Sequence, residues 1–174
     1  MIEVEITDNM KKRAWKRARE MGELNNSITK GDGNIAGFLG EEVANEVLHG
    51  IISNTYDYDI ITGLGNGEVH EQGQLTTWDV KTKRCTSPPK GFYECSIAEY
   101  NTKQKCDCYV FVRIENIKGR WGRAWVLGWM DKSEYLKKAV RLKKGDIDDS
   151  NGFVVKANCY NMKIKDLNSF EVAQ

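Results

Sequence analysis

The apolar residues of one long segment recur at helical spacing. Within residues 35–49 (IAGFLGEEVANEVLH) they lie four positions apart in one stripe, made of Ile35, Leu39, Val43 and Val47. Gly50 follows, and glycine commonly ends a helix because it adopts the left-handed conformation at low cost. The pattern predicts an amphipathic helix. Gly37 and Gly40 lie inside it, where glycine costs stability, so we expect a close approach of another segment there.

Segments of β type follow in the middle of the chain. Residues rich in β-branched and aromatic side chains predict four strands, over 54–62, 76–84, 106–114 and 123–130. A glycine-rich loop, 63–74, joins the first two, so we expect them to form an antiparallel hairpin. The third strand, CDCYVFVRI, is apolar for most of its length, which is typical of the centre of a sheet. Another turn-rich segment, 23–34, predicts a loop before the amphipathic helix.

The remaining segments flank this core. Residues 9–22 (NMKKRAWKRAREMG) predict a helix with a strongly basic surface. Residues 92–104 fit either a strand or a helix. A helix over 131–145 begins at a capping-box-like pair of acids, and 152–167 predicts one or two edge strands. Together the elements predict a single α/β (α+β) domain over 1–174.

Composition is that of an ordinary globular protein. Of 174 residues, 40% are hydrophobic and 29% charged, which allows one domain with a sizeable core. No apolar run approaches the roughly 20 residues that span a bilayer, and the N-terminus has no apolar signal segment. We therefore expect a cytoplasmic protein without membrane contact. The five cysteines lack C-x-x-C spacing, so we expect reduced thiols and no iron–sulphur cluster.

One predicted strand carries the most informative charges. In TTWDVKTKR the side chains alternate between faces, so Asp79, Lys81 and Lys83 share one side and Trp78 and Val80 the other. Asp79 and Lys81 then stand roughly 7 Å apart, close enough to reach one ligand. Such a face is often simply solvated. It also fits a carboxylate that holds a metal beside a lysine that handles a water or a phosphate, and the run alone does not decide.

Acidic residues precede this strand in two further groups. Glu41 and Glu42 lie on the amphipathic helix, and Asp57 and Asp59 on the preceding strand. Mg²⁺ takes oxygen ligands in near-octahedral geometry, so two carboxylates, a backbone carbonyl and a phosphate suffice to hold it. A bound ion acidifies its water, and a neighbouring lysine can orient that water and offset phosphate charge. This set supports phosphodiester hydrolysis.

These residues resemble the PD-(D/E)XK nuclease superfamily, whose fold is restriction-endonuclease-like. The resemblance is carried by Asp59 in YDYDII, by DVK at 79–81, and by GFLGEEVANEVL, which matches G-x-x-G-E-x-x-A-x-x-x-L. It implies a central mixed β-sheet flanked by helices, with a core of helix, hairpin, helix and strand over about residues 35–130. Residues 1–34 then form a basic N-terminal helix and loop, and 131–174 a C-terminal helix and edge strands.

The resemblance assigns roles to particular residues. It carries the catalytic roles onto Glu41, Asp59, Asp79 and Lys81. It implies that the three acids and the backbone carbonyl of Val80 hold Mg²⁺ or Mn²⁺, and that the substrate is DNA. Many such nucleases pair to cut two strands, so a homodimer is one candidate assembly.

Two departures from the motif leave alternative ligands open. Tyr58 stands where the family has proline, and Asp57 shares the strand face of Asp59. A helical wheel sets Glu42 nearer the apolar stripe than Glu41, which opposes the motif match. The resemblance favours Asp59 and Glu41 over these neighbours.

Basic residues continue the motif strand towards its end. Lys83 shares the face of Asp79 and Lys81, and Arg84 follows it. We expect Lys83 and Arg84 to bind substrate through backbone phosphates, because such contacts position a nucleic acid without reading its sequence.

The leading hypothesis is a metal-dependent DNA nuclease that hydrolyses phosphodiester bonds with a Mg²⁺-bound water. The small size of the chain is typical of phage-encoded proteins, which would act in the host cytoplasm. Two other classes stay open: a nucleic-acid-binding protein of the same fold without hydrolysis, and a structural or assembly subunit whose acids are surface charge. Strandedness of the substrate, internal or terminal cleavage, and RNA in place of DNA also stay open.

Overall fold

The computed structural model describes residues 1–21, 32–53, 55–63, 75–148 and 152–170. Within them the α-helices are α1 (Asp8–Met21), α2 (Asp32–Leu48) and α3 (Lys132–Lys138). The strands are β1 (Ile2–Val4), β2 (Ile51–Ile52), β3 (Ile60–Thr62), β4 (Thr76–Cys85), β5 (Glu94–Ala98), β6 (Cys108–Ile117), β7 (Arg120–Asp131), β8 (Val140–Leu142), β9 (Ile147–Asp148), β10 (Phe153–Val154) and β11 (Cys159–Lys163). Two 3-10 helices cover Glu99–Lys103 and Ile164–Asp166. The predicted loops over 23–34 and 63–74 lie mostly outside the described residues, but 32–34 belong to α2 and not to a loop.

A six-stranded mixed sheet forms the centre of the fold. Its strands lie in the order β1-β7-β6-β4-β3-β2, with β4 and β6 parallel and the other neighbours antiparallel. β3 and β4 form the predicted hairpin, with Ile60 opposite Trp78, and the apolar strand β6 is central as predicted. The predicted mixed α/β class with a central sheet is therefore confirmed.

Apolar side chains pack on both faces of this sheet. On one face α1 and α2 cover a cluster that includes Trp78 and Val80 of β4. On the other face β5, β11 and α3 cover a cluster that includes Tyr109 and Phe111 of β6. Helices therefore flank the sheet on the first face, whereas a second sheet in the order β5-β11-β8 and the short α3 cover the second. Of the described helices, none is both long enough and apolar enough to cross a membrane.

The strand predicted over 54–62 is shorter in the structure, where β3 covers only Ile60–Thr62 and Asp57 and Asp59 precede it. Three further local predictions differ from the structure for another reason. The helix predicted over 131–145 ends at Lys138, because Val140–Leu142 instead pairs with β11 as β8. Residues 152–167, predicted to form edge strands, include β11, which lies in the middle of the second sheet. Residues 92–104 form β5 and a 3-10 helix, where the resemblance implies an α-helix. Each of these three differences comes from pairing between distant segments, which local periodicity does not report.

Gly40 is the point at which α2 touches the sheet. A Cβ atom built on Gly40 would lie 1.8 Å from Thr82 Oγ1 and 2.8 Å from Thr82 Cβ, so a side chain fits only if α2 or β4 moves. A Cβ atom on Gly37 would meet nothing within 4 Å. The expected close approach is confirmed at Gly40 and wrong at Gly37. The contact sets the position of the next helical residue, Glu41, relative to β4.

We expect Gly40→Ala to lower the free energy of unfolding by about 1–3 kcal/mol, because overpacking displaces α2 from β4. Gly37→Ala on the same helix is the matched control. It is expected to be neutral, or to stabilise by up to about 1 kcal/mol, because alanine favours the helical conformation. Urea denaturation followed by circular dichroism measures both variants, and equal stabilities would contradict the close contact.

Candidate active site

Asp59 lies just before β3, at the end of the β3–β4 hairpin that is away from its loop. Beyond this point none of the described strands lies beside β4 on the β3 side. Its backbone N–H donates to the Trp78 carbonyl at 2.8 Å, just before β3 begins at Ile60. Two residues along β4, the Val80 N–H donates to Asp59 Oδ2 at 2.7 Å, so the Asp59 side chain takes the place of a neighbouring strand. The N–H and C=O of one strand residue point to the same side, and the Val80 carbonyl therefore also faces this edge.

Asp79 and Lys81 form a buried ion pair beside Asp59. Lys81 Nζ lies 2.6 Å from Asp79 Oδ2, and the two side chains are only 16% and 2% exposed. Lys81 Nζ also donates to Gln104 Oε1 at 2.9 Å, and Gln104 Nε2 donates in turn to the Tyr56 carbonyl at 2.9 Å. The ammonium group is thus held by two partners, and the strand face expected to carry these charges is buried here.

Glu41 reaches the same edge from α2, where it meets an arginine of α1. Arg17 Nη2 lies 2.6 Å from Glu41 Oε2, and the Arg17 guanidinium packs over the Phe38 ring at 4.4 Å from its centroid. The neighbouring pair, Arg13 and Glu42, lies at 2.6 Å. Two successive ion pairs therefore join α1 to α2, and one of them ends at the acid cluster.

Burial and mutual repulsion raise the pKa values of two of these carboxyls. Burial raises the pKa of Glu41 to about 8, the charge of Asp59 adds to the rise, and Arg17 opposes it. Burial also raises the pKa of Asp59 to about 7, with a further contribution from the charge of Asp79 and an opposing one from Lys81. These influences join the three acids and Lys81 into one electrostatic cluster.

The structure separates the alternative ligands from the cluster. Asp57 Oδ1 accepts a hydrogen bond from the Lys105 N–H at 3.1 Å, which ties it to the segment before β6. Glu42 is bound by Arg13 through both Nε and Nη2, at 2.7 and 2.6 Å. The resemblance favours Asp59 over Asp57 and Glu41 over Glu42. In the structure the two favoured residues interact, since the charge of Asp59 raises the pKa of Glu41.

The basic residues at the end of β4 diverge. Lys83 is exposed and lines a pocket that also contains Lys81. Arg84 is exposed as well, but strand alternation puts it on the opposite face from Lys81. The structure therefore brings Lys83, and not Arg84, to the side of the cluster.

The donor set fits a divalent cation in its chemistry. Glu41 Oε2 and Asp79 Oδ2 are buried and, despite their nearby cations, accept no hydrogen bond of ordinary geometry from the described residues. Buried acceptor oxygens on carboxylates that repel one another suit a hard cation. As they stand, each carboxylate is turned to a different donor, and within the described ranges no three acidic, His or Cys side chains are grouped to hold an ion. Ion binding therefore requires Glu41 and Asp79 to turn away from Arg17 and Lys81.

Three residues of the site escape prediction from the sequence. Arg17 lies beside the apolar stripe of α1, which is formed by Met10, Ala14 and Ala18. Its position next to this stripe is the pattern in the sequence that could have predicted a cation facing the interior. Gln104, which holds Lys81, has no local signal. Tyr109 is paired with Asp79 across β4 and β6, and its buried hydroxyl has no hydrogen-bond partner among the described residues.

Comparison with models of protein families and with the curated proteins finds no match to this chain. The functional inference therefore depends on the geometry of the site and on the motif resemblance.

Proposed function

We propose that this chain is a metal-dependent nuclease of the restriction-endonuclease-like fold that hydrolyses phosphodiester bonds in DNA. One observation carries the proposal: Glu41, Asp59 and Asp79, from three separate elements, interact electrostatically at one sheet edge beside Lys81. Buried carboxyls whose pKa values are raised by burial and by a neighbouring acid, as those of Glu41 and Asp59 are, are unusual outside functional sites, since they cost stability. Their arrangement around a lysine suits phosphoryl chemistry.

The roles follow from the positions of the groups. Glu41, Asp59, Asp79 and the Val80 carbonyl would hold Mg²⁺ or Mn²⁺, which when bound supplies Lewis acidity and an acidified water. Lys81, oriented by its hydrogen bond to Gln104, would offset negative charge on the scissile phosphate and orient the attacking water.

Two further cationic regions support a nucleic-acid substrate. The outer face of α1 exposes Lys12, Lys16 and Arg19 around Trp15, which is 44% exposed. Clustered cations with an exposed aromatic ring suit a phosphate backbone and an unpaired base. Lys83 adds a phosphate contact beside the site.

A second candidate is a nucleic-acid-binding protein that does not hydrolyse its ligand. The observation in its favour is that Arg17 and Lys81 already neutralise two of the three carboxylates. A cluster balanced in this way is stable without an ion, and the same cations would still attract phosphates.

Cleavage assays with different metal ions separate the two candidates. We expect the wild-type chain to degrade plasmid and single-stranded DNA with Mg²⁺ or Mn²⁺, and not with Ca²⁺ alone or in chelator, because Ca²⁺ accepts looser geometry and acidifies water less. Lys81→Ala is expected to lose cleavage. DNA binding without cleavage by the wild type in any metal would favour the second candidate, and neither binding nor cleavage would favour a structural subunit.

A further inference from the structure

A pocket of about 240 Å³ lies beside Lys81, between β4 and β6 on one side and β5 on the other. Three cationic side chains line it, Lys81, Lys83 and Arg113, against one carboxylate, that of Glu94. The volume is below that of pockets for drug-sized ligands, so it suits a small group. Its lining favours an anion.

Lys83 and Arg113 place two like charges opposite one another. They are partners across β4 and β6, so the two side chains rise from the same face of the sheet. Arg113 packs over the Tyr93 ring at 5.2 Å and donates to the Glu94 carbonyl at 3.0 Å. Within the described part of the chain neither cation forms an ion pair. Like charges directly opposite destabilise a sheet, and a bound anion relieves that repulsion.

The pocket extends from the surface into the core. Lys83 is exposed at its mouth, whereas Arg113 is only 7% exposed. The buried side chains of Phe111 and Leu127 also line it. Because the pocket is small and partly lined by buried residues, it suits a single group at a chain end better than a continuous polymer.

We propose that this pocket binds the terminal phosphate of a nucleic-acid strand, an inference that takes its class of ligand from the proposed function. A terminal phosphate monoester carries about 1.5 to 2 negative charges at neutral pH, more than an internal diester, and the two facing cations match that larger charge. Ser96 and Asn101 also line the pocket, and both are polar residues with neutral side chains. Lys81 borders both this pocket and the acid cluster, which links a bound strand end to the position of cleavage.

Binding in chelator tests the pocket apart from hydrolysis. The probes are single-stranded oligonucleotides of one sequence that carry a 5′-phosphate, a 3′-phosphate, or hydroxyls at both ends, with affinity read by fluorescence anisotropy. We expect wild-type protein to bind one phosphorylated form about tenfold more tightly than the hydroxyl form, since hydrogen bonds to charged groups contribute that much. Inorganic phosphate should compete for the phosphorylated form and reduce this difference.

Lys83→Gln is the decisive variant, because Lys83 is exposed and its replacement spares the fold. We expect the tenfold preference to disappear in Lys83→Gln and to persist in Lys137→Gln, which removes a cation from the exposed face of α3. Equal affinities in the wild type, or a preference that survives Lys83→Gln, would overturn the pocket. If the preference is lost in Lys83→Gln and the wild-type protein does not cleave DNA in Mg²⁺, the phosphate-binding pocket is supported and the nuclease proposal is overturned.

Discussion

Asp79→Asn is expected to reduce Mg²⁺-dependent cleavage by on the order of a thousandfold or more while the chain stays folded. Asp79 is 1% exposed and forms an ion pair with Lys81, and its charge contributes to the raised pKa of Asp59. Asparagine keeps the size of the side chain, so packing is preserved. It loses the negative charge that holds Lys81 and supplies a metal ligand.

Asp57→Asn is the matched control for this variant. Asp57 lies two residues before Asp59 and accepts a hydrogen bond from Lys105, which an amide oxygen also accepts. We therefore expect Asp57→Asn to cut at a rate close to that of the wild type. Single-turnover cleavage of a labelled oligonucleotide, with circular dichroism as a check on folding, compares the two. Similar losses in both variants would assign a ligand role to Asp57 as well.

The metal-free protein is expected to lose stability as pH rises from about 5 to 8. The pKa values of Glu41 and Asp59 rise from ordinary values of 4.5 and 3.8 to about 8 and about 7 on folding. The folded chain therefore binds more protons than the unfolded chain across this interval, and the free energy of unfolding falls with pH. The stabilisation is fully present below pH 4 and is lost as pH passes the folded values. One proton corresponds to about 1.4 kcal/mol per pH unit, so the two carboxyls together are expected to lower the free energy of unfolding by on the order of 5 kcal/mol over this interval.

Glu41→Gln is expected to flatten this pH dependence. The amide cannot ionise, so it avoids the cost of a buried charge next to Asp59. Glu46→Gln, an exposed position on the same helix, is the control and should keep the wild-type slope. Urea denaturation in chelator at several pH values measures all three proteins. A wild-type stability that rises between pH 5 and 8 would contradict the raised pKa values.

Short-range patterns explain which parts of the fold could be predicted. The apolar stripe from Ile35 to Val47 predicts a helix that is buried along one face, and the apolar run of β6 predicts a buried strand. Each pattern depends only on residues within its own segment, and the structure has both elements. The hairpin joins neighbours in sequence. The second sheet depends instead on β11 pairing with β5 and β8, far along the chain, so Val140–Leu142 reads locally as the end of a helix. Nothing in its own sequence marks that pairing.

The site divides in the same way. Its acids and Lys81 match a motif, because the proposed chemistry would need particular residue types at particular spacings. Their partners are less constrained. Arg17 and Gln104 reach the cluster from segments with no motif, and their positions depend on how α1 packs on α2 and where the 3-10 helix ends. The residues that match the motif were therefore easier to find in the sequence than the side chains that contact them.

The two ion pairs between α1 and α2 determine how far this protein can be shortened from its N-terminus. A shortened chain that begins at α2 would keep every acid assigned to the reaction. It would also strip the counter-charges from Glu41 and Glu42, two side chains enclosed by the fold, and uncover the apolar side of α2 that Met10 and Ala14 shield. The basic helix α1 therefore stabilises the fold in addition to presenting a charged surface. We expect that the shortest fragment of this protein that folds on its own includes α1.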